Sequence, residues 1–293
     1  MLGRPTTRSG PDPGPVALPG PPRFEVLPLP GITDAVREFL PPRATVTVTA
    51  SPRRGQEATV STAVALALQG RQVVPHLSAR LIRDEAALKA TLDSLAGSGV
   101  TEAFVIGGDA VDPVGEYTSA VDLLPAITRM GHGLRIGIAG YPEPHPLIDD
   151  DVVIRAMQDK CPHASYVVSQ MCFDASTLLT WVRRMRQRGV DLPVLVGVPG
   201  PTSVNTLLRV GARVGVGEST RVLRKHRGLL RRLASPLPWQ PTQFLQDLSP
   251  GFADPDYGLQ GVHVYTFNAV GAAGRWWQEM SHGHQEAAHS LDQ

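Results

Sequence analysis

The stretch DEAALKATLDSLAGSGVTEAFVIGGD, residues 84–109, joins a helix pattern directly to a strand pattern. Residues 84–99 open with two acidic residues, repeat apolar residues at helical spacing and end at a glycine, which predicts an α-helix. Residues 102–109 then run through Ala, Phe, Val and Ile to Gly-Gly-Asp, which is typical of a buried strand followed by a polar residue. If this unit repeats along the chain, it determines the fold.

The unit does repeat, because seven further apolar runs have the length and the Val/Ile content of buried parallel strands. These runs are residues 23–28, 44–50, 72–76, 134–142, 164–170, 193–200 and 261–267. Further helix patterns span 118–131 and 174–189, and Asp174 and Gly189 are placed to cap and to end the second. About eight strands alternating with helices predict an α/β fold, a (β/α)8 TIM barrel. A doubly wound open sheet has compatible spacing and remains the structural alternative.

The composition is that of an ordinary globular protein. The 293 residues are 42% hydrophobic and 19% charged, with a formal net charge of +1. This balance gives no indication of a nucleic-acid or membrane partner, and no apolar run is long enough to span a bilayer. The two cysteines, Cys161 and Cys172, fit neither a disulfide framework nor a metal motif, so we expect both to be reduced and buried. A cytoplasmic protein without a metal site is predicted.

Three segments are expected along the chain. Residues 1–22 are rich in Pro and Gly and are predicted to be a disordered tail. Residues 23–281 form the barrel, and residues 282–293 are predicted to be a flexible tail whose histidines hold no metal. Adjacent tryptophans in the last helix, Trp276 and Trp277, indicate either ordinary packing or an interface in a homo-oligomer.

Polar residues recur at the ends of the predicted strands. They are Thr47, Thr49, His76, Asp109, Tyr141, Glu143, Gln170, Tyr265, Thr266 and Asn268. Each alone has a structural explanation, such as the strand preference of Thr or a turn-forming Asp. Their coincidence at many strand ends favours a site at the carboxyl end of a barrel. Glu25 lies inside the first strand, where it is either a functional carboxyl or a solvent-facing residue of an edge strand.

Common cofactor motifs are absent. No strand–GxGxxG–helix unit, Walker A, GxSxG or HExxH motif occurs. The segment GARVGVGEST, residues 211–220, is interpreted as a tight turn, with phosphate binding as the alternative. The basic cluster within residues 221–232 is interpreted as a solvated helix face, with an anion-binding patch as the alternative.

Eight short segments together resemble the catalytic domain of the methylenetetrahydrofolate reductase family. They are FEVLP (24–28), VTVTAS (46–51), VVPHLSA (73–79), FVIGGD (104–109), IGIAGYPEPHP (136–146), VVSQMCFD (167–174), GVPGPTS (197–203) and HVYTFN (263–268). The resemblance covers about residues 23 to 280, and the Tyr-Pro-Glu-x-His-Pro segment is its closest match. It implies a (β/α)8 barrel in which NAD(P)H supplies the hydride that converts 5,10-methylenetetrahydrofolate to 5-methyltetrahydrofolate.

The resemblance also implies roles for individual residues. Glu25 is the general acid, with a pKa raised by burial, and Asp109 stabilises the cationic iminium that forms when the folate ring opens. The folate is expected to contact Glu25, Gln170, Phe173 and Tyr265. FAD is expected to contact Thr49, His76, Asp109, Ala139 and Tyr141.

One departure from the family pattern bears on the cofactor. Gly107 stands where the family has the arginine of Arg-Gly-Asp, which removes a multidentate phosphate donor. His76 and Tyr141 remain and favour FAD, but direct hydride transfer from the nicotinamide stays open. The choice of NADH or NADPH and the direction of the reaction also stay open. The alternative to a reductase is a non-catalytic folate-binding barrel or a subunit of a methyltransfer complex.

Overall fold

Eight parallel strands close into a barrel in the computed structural model of the chain. The structure describes residues 20–143, 150–203 and 239–291, together with residues 18, 206, 207, 209 and 210. The strands pair in the order β1 to β8, and β8 pairs with β1, so no open edge remains. This closure confirms the predicted (β/α)8 barrel and excludes the doubly wound sheet, which has two edges.

The eight strands follow the predicted apolar runs. They are β1 (Arg23–Val26), β2 (Thr45–Val48), β3 (Gln72–Ser78), β4 (Glu102–Ile106), β5 (Arg135–Gly140), β6 (Tyr166–Ser169), β7 (Val194–Pro199) and β8 (Leu259–Tyr265).

Eight α-helices have both ends within the described residues. They are α1 (Ile32–Phe39), α2 (Gly55–Leu68), α3 (Glu85–Gly97), α4 (Ala120–Met130), α5 (Asp150–Lys160), α6 (Ala175–Gln187), α7 (Thr242–Ala253) and α8 (Val270–Leu291). Within this part of the chain no helix has the length and apolar character needed to cross a membrane.

Local capping chemistry sets several helix ends where the sequence predicts them. Asp84 accepts a hydrogen bond from the backbone N–H of Ala87 at the start of α3, and Asp174 accepts one from Thr177 at the start of α6. Both carboxylates satisfy N–H groups that have no partner inside the helix. After α6, Gly189 adopts a φ of +76°, a left-handed conformation that favours glycine and ends the helix.

Two apolar layers hold the barrel. The larger layer lies between the strands and the helices, where side chains such as Phe24, Val26 and Val46 are fully buried. The smaller layer fills the inside of the barrel and consists of Val74, Phe104, Tyr166, Val168 and Leu195. Burial on both faces explains why the strands are nearly continuous apolar runs.

Below the inner layer, an ionic cluster lies at the amino-terminal end of the strands. Arg23 forms an ion pair with Glu102, with Nη1 2.8 Å from Oε2, and Arg135 approaches the same carboxylate. Both guanidinium groups lie 4.8 Å from the ring centre of Tyr166. We call Arg23, Glu102, Arg135 and Tyr166 the barrel floor.

Two details differ from the sequence predictions. His76 lies inside β3 rather than at its end, because the strand continues to Ser78. Cys161 is only partly buried, whereas Cys172 is fully buried, and both are free thiols. The last helix extends to Leu291, and the flexibility predicted for residues 282–293 remains a prediction.

Other predictions keep their status. Trp276 is buried and donates a hydrogen bond to Thr242, as ordinary packing requires, while Trp277 is half-buried. The segment limits and the homo-oligomer remain predictions. The segment 211–220, the basic cluster within 221–232 and the N-terminal tail lie outside the described residues, except for Leu18 and residues 20–22.

Candidate active site

Glu25 occupies the inside of the barrel, in the middle of β1. Its neighbours in register are Thr47 on β2 and Tyr265 on β8. The outward-facing residues of β1, Phe24 and Val26, are buried against the helices. Alternation along the strand therefore turns the carboxylate of Glu25 inward, and its side chain is 16% exposed. The edge-strand interpretation is excluded, because β1 pairs on both sides.

Two histidines flank this carboxylate. Nε2 of His263, on β8, lies 3.1 Å from Oε2 of Glu25, at hydrogen-bonding distance. Nε2 of His76, on β3, lies 3.5 Å from the same oxygen without the geometry of a hydrogen bond. His263 is not among the site residues predicted from the sequence, although its strand alternates Gly261, His263 and Tyr265 on one face.

The surroundings of Glu25 set its protonation. Burial acts to raise the pKa of Glu25, but the hydrogen bond from His263 and the electrostatic influence of both histidines act against burial, and the net pKa lies below its usual value. The sequence prediction of a raised pKa is therefore wrong. Burial lowers the pKa of His76 to about 4, so this imidazole is neutral at neutral pH.

Buried polar atoms without partners surround Glu25. Among the described residues these atoms are Oγ1 of Thr47, both ring nitrogens of His76 and Nδ1 of His263. Native structures rarely leave such atoms unpaired, and those that remain commonly bind water or a ligand. The four atoms therefore indicate a polar binding region inside the barrel.

Asp109 lies on the loop after β4, exposed at the carboxyl end of the barrel. Tyr141 directly follows β5 and is 38% exposed. The pKa of Tyr141 is raised chiefly by burial and to a smaller extent by the nearby carboxylate of Asp109. The pKa of Tyr265 is also raised chiefly by burial, with smaller contributions from Glu25 and Tyr141. Two neutral phenols therefore lie near the two carboxylates at the barrel mouth.

The remaining predicted site residues lie at the same end of the barrel. Thr49 follows β2, Ala139 lies near the end of β5, and Gln170 follows β6. Oε1 of Gln170 accepts a hydrogen bond from the backbone of Met171, and the hydroxyl of Tyr265 donates to the carbonyl of Ser169. The fold therefore gathers the predicted residues at one mouth, and their contacts with a ligand remain predictions.

An aromatic pair at the mouth was only half predicted. The ring of Phe173 packs edge-on against Trp239, with centroids 5.4 Å apart. The indole of Trp239 donates to the carbonyl of Pro199, the last residue of β7. Trp239 was not recognised in the sequence because it lies outside every strand and helix pattern. Flat apolar rings in this position can contact a planar ligand.

Arg80 fixes the loop that carries Asp109. Its guanidinium donates to the carbonyl oxygens of Ala110 at 2.6 Å, Val111 at 2.6 Å and Thr118 at 3.2 Å. Backbone hydrogen bonds add to this, from the N–H of Arg80 to Gly107 and from the N–H of Val114 to Arg80. The loop is thus held at both ends by one side chain.

Substitution of Arg80 by methionine is expected to loosen this loop. Hydrogen bonds from a charged group contribute about 1.5–3 kcal/mol each, so the free energy of local opening should fall by at least that amount. Amide hydrogen exchange across residues 109–118 measures it. Arg83→Met is the matched control, because Arg83 is exposed and its side chain pairs, among the described residues, only with the cap Asp84. Equal exchange in both variants would contradict the anchoring role of Arg80.

The fold and site together define a TIM-barrel protein with a partly buried carboxylate below its mouth. The family model described as Methylenetetrahydrofolate reductase matches residues 31–217. Because this match covers more than half of the chain, the protein belongs to the methylenetetrahydrofolate reductase family.

Curated relatives agree over shorter stretches. Methylenetetrahydrofolate reductase 2 of Saccharomyces cerevisiae is 29% identical over 100 residues, which are 32% of this chain and 17% of that protein. Methylenetetrahydrofolate reductase 1 of Schizosaccharomyces pombe is 33% identical over 85 residues, which are 28% of this chain and 14% of that protein. The chain thus aligns with only a small part of the length of these relatives.

Two solved structures are similar to the chain with TM-scores below 0.5. A tryptophan synthase from M. tuberculosis has a TM-score of 0.49 at 12% identity, with 90% of this chain and 92% of that chain covered. A dihydropteroate synthase from Thermus thermophilus has a TM-score of 0.45 at 15% identity, with 90% of this chain and 94% of that chain covered. Likeness at this level says nothing about function.

Proposed function

We propose that this protein interconverts 5,10-methylenetetrahydrofolate and 5-methyltetrahydrofolate with hydride from NAD(P)H. The observation that carries the proposal is the placement of two carboxylates at one barrel mouth, Glu25 inside and Asp109 on the rim loop. Family membership supports the same chemistry. A cytoplasmic location remains a prediction.

The proposed reaction needs both carboxylates in different roles. In reduction, the bond between the methylene carbon and one folate nitrogen breaks, and its electron pair stays on the nitrogen, which takes a proton delivered through Glu25. The remaining iminium carbon is positively charged, and Asp109 stabilises it. Hydride then moves from NAD(P)H to that carbon, so one hydride and one proton are consumed. The reverse sequence needs Glu25 as a base, and its lowered pKa suits that role.

FAD, if bound, supplies a carrier that accepts hydride from the nicotinamide and passes it to the folate. Thr49, His76, Ala139 and Tyr141 are the residues proposed to contact its ring. The unpartnered nitrogens of His76 suit a polar ligand.

The diphosphate of FAD finds a poorer fit among the described residues. Gly107 offers no side chain, Arg80 uses its guanidinium on three loop carbonyls, and Lys160 is buried against the carbonyl of Ala139. Arg155 stays exposed on α5. These residues do not fit tight binding of FAD, which favours direct hydride transfer from the nicotinamide.

The absorption spectrum of the purified protein tests this choice. After incubation with FAD and desalting, we expect little flavin absorbance to remain. Mixing with NADH and methylenetetrahydrofolate should then consume NADH without added flavin. A retained flavin band would contradict the direct route. No NADH consumption with or without FAD would favour the non-catalytic folate-binding barrel or methyltransfer subunit instead.

Replacement of Gly107 by arginine is expected to tighten FAD binding about tenfold, because one charge-assisted hydrogen bond to phosphate contributes about 1.4 kcal/mol or more. Space for the side chain exists, since a Cβ at this position would have its nearest heavy atoms 3.9 Å away. Fluorescence titration with FAD measures the change. Gly107→Met supplies the length without the charge, and equal affinities of both variants would show that the missing guanidinium is not the cause.

A further inference from the structure

His263 has no role in the chemistry proposed above, yet it makes the one hydrogen bond to the carboxylate of Glu25 that the described residues show. The imidazole is 1% exposed and packs against the ring of Tyr265, with centroids 4.8 Å apart. Such a buried polar group needs a reason beyond packing.

The surroundings of His263 indicate which nitrogen carries its proton. A carboxylate accepts hydrogen bonds, so Nε2 of His263, at 3.1 Å from Oε2, is the donor. Its Nδ1 is buried and has no partner in the described part of the chain. These contacts place a proton on Nε2.

The two oxygens of Glu25 are not equivalent. Both histidine contacts, from His263 and from His76, go to Oε2. Oε1 makes no hydrogen bond to any described residue, and the Glu25 side chain retains 16% exposure. One oxygen is thus held by the protein, and the other is available to a ligand.

We propose that His263 is a positioning residue, whose Nε2–H holds Oε2 of Glu25 and leaves Oε1 as the oxygen that exchanges the proton with the folate nitrogen. This inference rests on the proposed function for the identity of the substrate. The contact geometry around Glu25 is independent of it.

The state of the free protein follows from this arrangement. Burial alone would favour a protonated Glu25, and the hydrogen bond from His263 outweighs that effect together with the electrostatic influence of His76 and His263. In the described part of the chain, the other titratable group facing Glu25 is Tyr265, whose phenol stays neutral because its pKa is raised, chiefly by burial. Glu25 is therefore ionised before substrate binds, and it takes up the proton as part of the reaction cycle.

A titration of the Glu25 carboxyl tests the inference without any substrate. The protein is labelled with carbon-13 at glutamate carboxyls, and the Glu25 signal is assigned by its loss in Glu25→Gln. His263→Leu removes the donor while keeping an apolar side chain, and we expect the pKa of Glu25 to rise by about one pH unit or more, as burial then dominates. His263→Gln keeps a hydrogen-bond donor and should raise the pKa of Glu25 less than His263→Leu does. An unchanged pKa in His263→Leu would overturn the inference.

Kinetics separate positioning from a purely structural role. If Glu25 must be protonated for reduction, kcat/KM of the wild type falls as pH rises through the pKa of Glu25. In His263→Leu this fall should move to higher pH, and His263→Gln should recover most of kcat with KM unchanged. A uniform loss at every pH, without recovery by glutamine, would overturn the inference. If no variant and no wild type oxidises NADH, the proposed function fails, and the carboxyl titration still decides the role of His263.

Discussion

Glu25→Gln is expected to reduce kcat/KM for NADH-dependent folate reduction by about 10²–10⁴-fold, the usual contribution of a positioned proton donor or acceptor. Glutamine keeps the shape of the side chain and can still accept a hydrogen bond from Nε2 of His263. It cannot take up or release a proton at accessible pH. The loss should therefore appear in kcat, while KM for the folate changes little.

Steady-state NADH oxidation measures this effect, and folding is monitored by thermal unfolding of the same samples. Glu38→Gln is the matched control, because Glu38 is an exposed residue of α1 on the outside of the barrel. The control should retain full activity. Activity of Glu25→Gln within a few-fold of the wild type would remove Glu25 from the proton transfer and would leave the two-carboxylate scheme without its acid.

Asp109→Asn is expected to lower kcat/KM by about a hundredfold, because the iminium would lose the negative charge that stabilises it on the rim. The substitution preserves size, and Asp109 makes no hydrogen bond within the described chain that asparagine would break. The pKa of Tyr141 gives a second readout, because the carboxylate of Asp109 is the second-largest cause, after burial, of the raised pKa of this phenol. In Asp109→Asn the pKa of Tyr141 should therefore fall, as measured by ultraviolet titration.

Asp112→Asn provides the comparison on the same loop, since Asp112 is equally exposed and three residues further along. It should leave both activity and the Tyr141 titration unchanged. Equal losses in the two variants would mean that the general negative charge of the loop matters, rather than the position of Asp109.

The loss of kcat/KM caused by Asp109→Asn should become only partly smaller at high salt if bound substrate excludes water from the site.

The barrel was predictable from the sequence because each strand is buried on both faces. Strands such as the one within residues 193–200 lie between the helices and the barrel interior, so nearly all of their residues must be apolar. This requirement produces short, continuous apolar runs that can be recognised in the sequence. Asp84 and Asp174 marked helix starts because backbone N–H groups there need an acceptor close in sequence. Local requirements of this kind act over a few residues and can be detected along the chain.

The electrostatics of the site depend on contacts between distant residues. Glu25 and His263 are 238 positions apart, and only closure of β8 against β1 brings them together. The prediction of a raised pKa at Glu25 considered burial alone and did not include the two imidazoles. Trp239 and Arg80 were missed for a similar reason, since their contacts lie in loops without a periodic pattern. Side chains alternate between the two faces of a strand, so in VHVY, residues 262–265, His263 shares the inward face with Tyr265. This alternation was the signal that could have identified His263.

The barrel floor separates opposite charges along the barrel. Two arginines, Arg23 and Arg135, face the single carboxylate of Glu102 at the amino-terminal end, beneath the apolar inner layer. The floor therefore carries a formal charge of +1, whereas Asp109 brings a negative charge to the rim at the carboxyl end.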